Sequence, residues 1–343
     1  MRPWRSHERG SLSATDRTVG TIREMEAERR VTPGRLRRLT EELVEERLGV
    51  IERSSVPDVL VDEIDYALRP PRHERRTPSY GSFVLPERPV DGWRERTGLD
   101  VVTSSTADEF DDTVRRYADG LTSWTIRTAN GVDSMVVFDR AAGSERDLVV
   151  LAAATGAMIV QRHPNGEVRL VGSFGVARWD GMGWHTEPPV DAWLQWATCG
   201  LDELDTNALG HLLRFAVHDL GAQGIGALLV YRPQDADGVE RRLREPPPLR
   251  IDRPTDLAPL RHVLTQTDGA ALFDTEGRLL ALGALLMPTA DAEASVDPVG
   301  GTRHTSARRY SHDDPEAVVI AVSEDGPVTV FRKGDVIGRS RPT

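Results

Sequence analysis

Three short islands between Thr267 and Glu324 hold the residue types from which a nucleotide site is built: Asp268-Gly269-Ala270, Gly301-Thr302-Arg303-His304 and Val322-Ser323-Glu324. Asp268 stands where a polar helix end meets an apolar run, and the two small residues behind it let a ligand approach the backbone. The second island opens a helix. Its first turn offers unpaired backbone N–H groups, a hydroxyl, a guanidinium and an imidazole, a donor set that suits phosphate. The third closes another apolar run with a hydroxyl and a carboxylate. In α/β folds, strand ends and helix N-termini are where phosphates bind, so this part of the chain reads as a nucleotide site. Each island also has a plainer reading. Asp268 can be an Asx turn at strand entry, Thr302-Arg303-His304 a capped helix with a solvated pair, and Ser323-Glu324 a hairpin turn. Their occurrence together, in order, favours the site.

The same islands resemble the signatures of the diadenylate cyclase catalytic domain, which joins two ATP molecules into cyclic di-AMP. That family carries an Asp-Gly-Ala triplet followed by a Gly-Thr-Arg-His-Arg stretch. Here these stand as Asp268-Gly269-Ala270 and Gly301-Thr302-Arg303-His304-Thr305, with Gly226-Ala227-Leu228-Leu229-Val230 and Val322-Ser323-Glu324 as further matching stretches. The resemblance implies that Asp268 acts on the attacking hydroxyl and, with Glu324, on a Mn²⁺ or Mg²⁺ ion. It also implies that Gly269, Ala270, Gly301, Thr302, Arg303, His304, Ser323 and Glu324 hold the nucleotide, and that Gly283, Ala284 and Leu285 line the adenine pocket. It further implies a homo-oligomer, because each domain holds one ATP and two must meet face to face. Thr305 departs from the pattern, and Arg308 and Arg309, one turn on, are the residues expected to replace the missing guanidinium. The alternative reading is a catalytically degenerate sensor of ATP or cyclic di-AMP. A scaffold that uses its Trp-rich half to bind a protein partner is a third.

At 343 residues the chain is long enough for two domains with sizeable cores. A composition 39% hydrophobic and 28% charged is that of a globular protein, and a net charge of −11 argues against general nucleic-acid or membrane-surface binding. Cys199 is the single cysteine, which forbids an internal disulfide and fits a reducing cytoplasm. No apolar run reaches the ~18 residues of a membrane span, and no signal-peptide pattern is seen.

The elements expected to position these residues fall into three stretches. Residues 1–35 read as a flexible tail, 36–200 as a sensor or regulatory domain, and 201–343 as the cyclase-like domain. The middle stretch is expected to be α+β with antiparallel strands. Helical spacing over Leu36–Ile51 and Val56–Leu68 gives two helices, residues 72–95 read as loop, and Thr106–Leu121 as a helix. Short apolar runs at Ser123–Ile126, Ser134–Phe138, Leu148–Ala153, Ala157–Gln161, Val168–Phe174 and Val176–Trp179 read as strands, separated by turns such as Asn130-Gly131. Trp124, Trp179, Trp184, Trp193 and Trp196 are assigned to packing in the core and at the domain junction rather than to ligand stacking. His163 and His185 have no metal-ligand partners at usable spacing and read as surface residues.

The last stretch is expected to form a mixed sheet flanked by helices. Helices are predicted at Thr206–Ala222, around Leu257–Leu264 and at Thr302–Tyr310. Strands are predicted at Gly226–Tyr231, Gly269–Phe273 and Leu279–Leu286, with Glu316–Val322 and Val328–Phe331 as a final hairpin. Gln234–Pro248 is assigned to the surface and Met287–Gly300 to a loop.

Overall fold

In the computed structural model the described residues are 33–71, 77–87, 92–105, 112–129, 133–199, 206–232, 239–240 and 246–342. The tail over 1–32, the first part of the helix expected at Thr106–Leu121, the Asn130-Gly131 turn, the start of the third stretch at 201–205 and most of the segment 234–245 lie outside them.

The chain begins with α1 (Pro33–Glu45), α2 (Val50–Arg53) and α3 (Pro57–Leu68). The helical pattern read over Leu36–Ile51 is broken at Arg47 and Gly49, both at positive φ. Strand β1 (Tyr80–Leu85) follows, then α4 (Trp93–Thr97), β2 (Val101–Ser105), α5 (Asp112–Arg115), β3 (Ser123–Thr128), β4 (Ser134–Phe138), α6 (Glu145–Thr155), β5 (Met158–Arg162), β6 (Val168–Gly172), β7 (Gly175–Trp179) and β8 (Trp184–Glu187). α7 (Val190–Thr198) leads out of this half. The second half holds α8 (Thr206–Phe215), β9 (Ala227–Tyr231), β10 (Val239–Glu240), α9 (Pro254–Thr265), β11 (Ala270–Phe273) and β12 (Leu279–Leu286). It ends with α10 (Ala290–Ser295), α11 (Thr302–Asp313), β13 (Val318–Val322), β14 (Val328–Arg332), β15 (Asp335–Arg339) and β16 (Arg341–Pro342).

Two sheets result. The first has the order β16-β8-β7-β6-β5-β1-β3-β4-β2, antiparallel except for the β1–β3 pair. The second has the order β10-β12-β11-β9-β13-β14-β15, antiparallel except for β9–β11. The C-terminal half is therefore a mixed sheet flanked by helices, and the N-terminal half an α+β arrangement of mostly antiparallel strands, as the sequence predicts.

Three local expectations are corrected. The stretch assigned to loop around Phe83 is β1, a strand near the middle of the first sheet with every residue buried. Leu148–Ala153 is not a strand but the body of α6. Ser144 caps that helix by accepting from the Asp147 N–H while the Asp147 carboxylate accepts from the Ser144 N–H, a reciprocal capping box. The loop expected over Met287–Gly300 contains α10, capped by the Thr289 hydroxyl.

Packing follows the apolar faces. Phe83, Trp93, Trp124 and Phe138 meet edge-on or tilted in one layer beneath α6. On the other face of the first sheet, α1 and α3 bury Leu39, Leu43, Leu60 and Ile64. The fully buried carboxylate of Glu63 is held by Tyr80, Arg115 and Arg127, which ties α3 to the sheet. In the second half α8 lays Leu209, Leu212, Leu213 and Phe215 on one face of the sheet, and α11 lays Ala307 and Tyr310 on the other. Trp124, Trp184 and Trp193 are each at most 1% exposed, which places them in packing roles.

Helix α8 does not end cleanly. It widens into a π-helical turn at Ala216–Leu220 and tightens into a 3₁₀ turn at Gly221–Gln223. Such widened turns push side chains out of the regular helical register, and here they turn His218 and Asp219 toward the first half of the chain. His218 Nδ1 is 2.7 Å from Glu145 Oε1, and Arg146 donates to Asp219 Oδ2 at 2.7 Å. Glu145 also accepts from Arg178 Nε and Nη2, both at 2.6 Å.

Candidate functional site

A cavity of about 680 Å³ opens at the ends of the second sheet's central strands, beside the N-terminus of α11. Its size is that of a site for a nucleotide-sized ligand. One wall is the end of β12, with Ala284, Leu285 and Leu286. Another is the loop Val299-Gly300-Gly301 and the first turn of α11, with Thr302, Arg303, His304 and Ser306. Gly269, Leu228 and Ser323 complete the strand-end side. Eight of the residues predicted from the sequence thus share one cavity: Gly269, Ala284, Leu285, Gly301, Thr302, Arg303, His304 and Ser323.

The remaining predicted residues lie beside it. Ala270 is buried in β11 and Gly283 in β12. Gly269 sits at φ +99°, and a Cβ there would lie 2.7 Å from the Gly283 carbonyl carbon and 2.8 Å from Ala284 O. Only a residue without a side chain lets the two backbones close over the cavity floor. Asp268 precedes this contact. It is exposed and has no hydrogen bond or ion pair among the described residues. Glu324 is also exposed, its carboxylate 3.8 Å from Arg303 Nη2.

Helix α11 starts at Gly301 with no side chain capping its first N–H groups and no acidic residue in its first turn. Uncapped N–H groups and the positive end of the helix dipole therefore face the cavity. Arg303 passes over Gly226, where a Cβ would meet its Nη1 at 2.6 Å, and donates to Val322 O at 3.3 Å. His304 packs edge-on against Phe331 at 6.1 Å. Burial, then the charges of Arg339 and Arg303, lower its pKa from the usual histidine value. Arg303 and Arg339 bring positive charge to the cavity wall.

Thr305 takes no place in the cavity wall. Its hydroxyl lies 3.3 Å from both the N–H and the carbonyl of Val299, stitching the glycine loop to the helix. Arg308 and Arg309 do not replace a cavity guanidinium either, contrary to expectation. Arg308 donates to Gly334 O and Asp297 O, and Arg309 reaches toward Val296 O and Glu293 O. Both brace the backbone around the loop. The cavity's second guanidinium is Arg339, on β15, with Thr329 of β14 and Val336 beside it. Sequence reasoning missed these three, along with Leu228, Leu286, Val299, Gly300 as a wall residue, and Ser306. For Thr329 and Arg339 only the register of the last hairpin, which pairs them directly across β14 and β15, brings them to the site.

Residues 214–336 match the family model described as DisA bacterial checkpoint controller nucleotide-binding, abbreviated DAC. The C-terminal part is therefore a diadenylate cyclase-type nucleotide-binding domain. Residues 37–187 match the model described as Probable sensor domain DACNK, so a sensor-type domain precedes it. Among solved structures, a membrane spanning protein from Bacillus cereus, described as hypothetical, aligns at 18% identity over 41% of this chain and 72% of that one, with a TM-score of 0.30. A double mutant of DacA from Staphylococcus aureus aligns at 19% identity over 41% of this chain and 91% of that one, with a TM-score of 0.28. No curated protein sequence matches the chain. No helix among the described residues is long and apolar enough to cross a membrane.

Proposed function

We propose that the protein is a diadenylate cyclase that condenses two ATP molecules into cyclic di-AMP with release of two pyrophosphates, under the control of its N-terminal domain. We take residues 36–200 as that sensor and 201–343 as the cyclase. The observation that carries the reading is the convergence of Gly269, Gly301, Thr302, Arg303, His304 and Ser323 on one cavity at an uncapped helix N-terminus.

In each half-reaction a ribose 3′-hydroxyl attacks the α-phosphate of the other nucleotide. A bond forms from the 3′-oxygen to phosphorus, the bond to the β-phosphate oxygen breaks, and the hydroxyl proton leaves. Most of the protein's task is positioning and charge stabilisation. The adenine would lie against Ala284, Leu285 and Leu286. The phosphates would meet the α11 N–H groups, the Thr302 hydroxyl and Arg303. Asp268, exposed and without another partner, is the group available to the attacking 3′-hydroxyl.

Mn²⁺ or Mg²⁺ fits the donor chemistry. Such ions take one or two carboxylates plus substrate phosphates, and Asp268 and Glu324 are the residues that would hold one. No cluster of three or more His, Cys, Asp or Glu among the described residues would hold an ion without the nucleotide. The ion, when bound, supplies charge neutralisation at the α-phosphate and the departing pyrophosphate. Because each cavity takes one ATP, two copies must face each other to close the ring.

A second reading, a nucleotide-binding sensor of ATP or cyclic di-AMP, is favoured by Thr305, whose hydroxyl serves the loop and adds no charge to the cavity. Incubation of the full chain with ATP and Mn²⁺ separates the two. The cyclase reading expects cyclic di-AMP from the parent and none from Asp268→Asn. ATP binding without product would support the sensor.

A further inference from the structure

Strand β15 joins two things that are otherwise apart, the nucleotide cavity and the N-terminal half. Arg339 lines the cavity, and its side chain has no hydrogen bond or ion pair among the described residues. Directly across the hairpin, Thr329 is 2% exposed and its hydroxyl has no hydrogen-bond partner. A buried hydroxyl without a partner costs on the order of 1–3 kcal/mol, and Thr329 is a wall residue of the cavity. A guanidinium and a hydroxyl side by side form a donor pair suited to a phosphate oxygen.

The strand around Arg339 touches the other half of the chain at two places. Gly338 lies under Trp193 and Trp196 of α7, where a Cβ would stand 2.8 Å and 3.2 Å from their rings. Ser340 is buried. It accepts from the Val328 N–H at 2.7 Å and donates to the Val328 carbonyl at 3.2 Å, a reciprocal pair with β14. Arg341 and Pro342 then leave the second sheet and pair with Thr186 and His185, as the edge strand of the first. Position 339 thus lies between Gly338, packed against α7, and residues 341–342, which pair with β8 of the N-terminal sheet. It lies beyond the 214–336 match to the nucleotide-binding family.

We propose that Arg339, with Thr329, binds a phosphate of the nucleotide, and that the N-terminal sheet sets the position of Arg339 through strand 335–342 and so tunes the cyclase site. This rests on the reading of the cavity as an ATP site. Arg339 replaces, from a different element, the guanidinium that Thr305 does not supply. Movement of β8 or α7 would shift Arg339 relative to the β12 side of the cavity. That is a route by which a sensor can act on affinity for the phosphates while leaving the adenine wall alone.

The test is calorimetric titration of the full chain with ATP and, separately, with adenosine. Arg339→Ala is expected to weaken ATP binding about ten- to a hundredfold, the loss of one charge-assisted contact, and to leave adenosine binding within about twofold. Arg339→Lys should fall between. A parent protein that binds no ATP overturns the cavity reading. A parent that binds ATP and an Arg339→Ala variant that binds it equally well overturns the phosphate role alone. Removal of residues 341–343 tests the connection. It should change ATP affinity in the parent and have no further effect in the Arg339→Ala background. An equal effect in both backgrounds, or none in the parent, overturns the coupling.

Discussion

Replacing Glu145 should loosen the whole molecule at the seam between its halves. The Glu145 side chain is 1% exposed and that of Arg178 10%, and the two make a bidentate pair at 2.6 Å. His218 from the π-helical turn closes on the same carboxylate at 2.7 Å. Burial alone would push the Glu145 carboxyl up. Arg178 and then His218 hold it well below the usual carboxylate range instead. A buried charge that loses its partner is costly, and removal of one member of such a pair costs about 3–5 kcal/mol. Arg178 keeps Glu187 at 3.3 Å, which places the expected loss for Glu145→Gln toward the lower end, about 3 kcal/mol. For a unit of this size each kcal/mol is worth roughly 2–4 °C, so the thermal midpoint should drop by about 6–12 °C. Calorimetry and tryptophan fluorescence on the full chain would read it. The depressed pKa fixes the direction with pH: the contribution is fully present above the ordinary glutamate value and is lost as pH falls toward the native one. The parent and Glu145→Gln should therefore converge in acid. A double replacement, Glu145→Leu with Arg178→Met, should recover much of the loss, because an apolar pair leaves no orphan charge. A shift under about 1 kcal/mol for Glu145→Gln, undiminished in acid, would mean that the buried Glu145–Arg178 pair and its His218 contact add little to stability.

Two further outcomes follow from particular contacts. His304 should titrate below the ordinary histidine range in the free protein, because burial and the Arg339 and Arg303 charges disfavour its cation. Its share of stability is therefore present above the ordinary histidine value and lost as pH falls from there through the lowered native one. ATP, by cancelling the neighbouring charge, should move the imidazole NMR midpoint upward, and a free-protein midpoint at or above 6.5 would contradict this. Gly338→Ala should cost about 1–3 kcal/mol by overpacking against Trp193, with a change in tryptophan emission; an unchanged melt would mean that α7 does not press on β15.

Much of the site was legible because its motifs are local. Asp268-Gly269, Gly301-Thr302-Arg303-His304 and Ser323 each sit within a few residues of an element boundary, and boundaries of that kind are marked by glycine and by changes of period. What the sequence hid depends on register and on distance along the chain. Arg339 and Thr329 meet only because β14 and β15 pair as they do. Strand β1 is a short, continuously buried run, which periodicity alone cannot type. α6 was misread for the same reason, although Ser144 followed by Asp147 is a helix-start signal that outweighs a short apolar run. The expectation that Arg308 and Arg309 stand in for the missing arginine failed because their reach ends on loop carbonyls, a matter of side-chain direction that spacing does not encode.

Two copies of the cavity between β12 and α11, each holding one ATP, are proposed to join the two nucleotides into cyclic di-AMP. Purified full-length protein incubated with ATP and Mn²⁺, with products resolved by chromatography and mass, tests it directly, with Asp268→Asn alongside. Cyclic di-AMP and pyrophosphate are expected from the parent and neither from the variant. Absence of cyclic di-AMP from a parent that binds ATP, or equal product from both proteins, would contradict it.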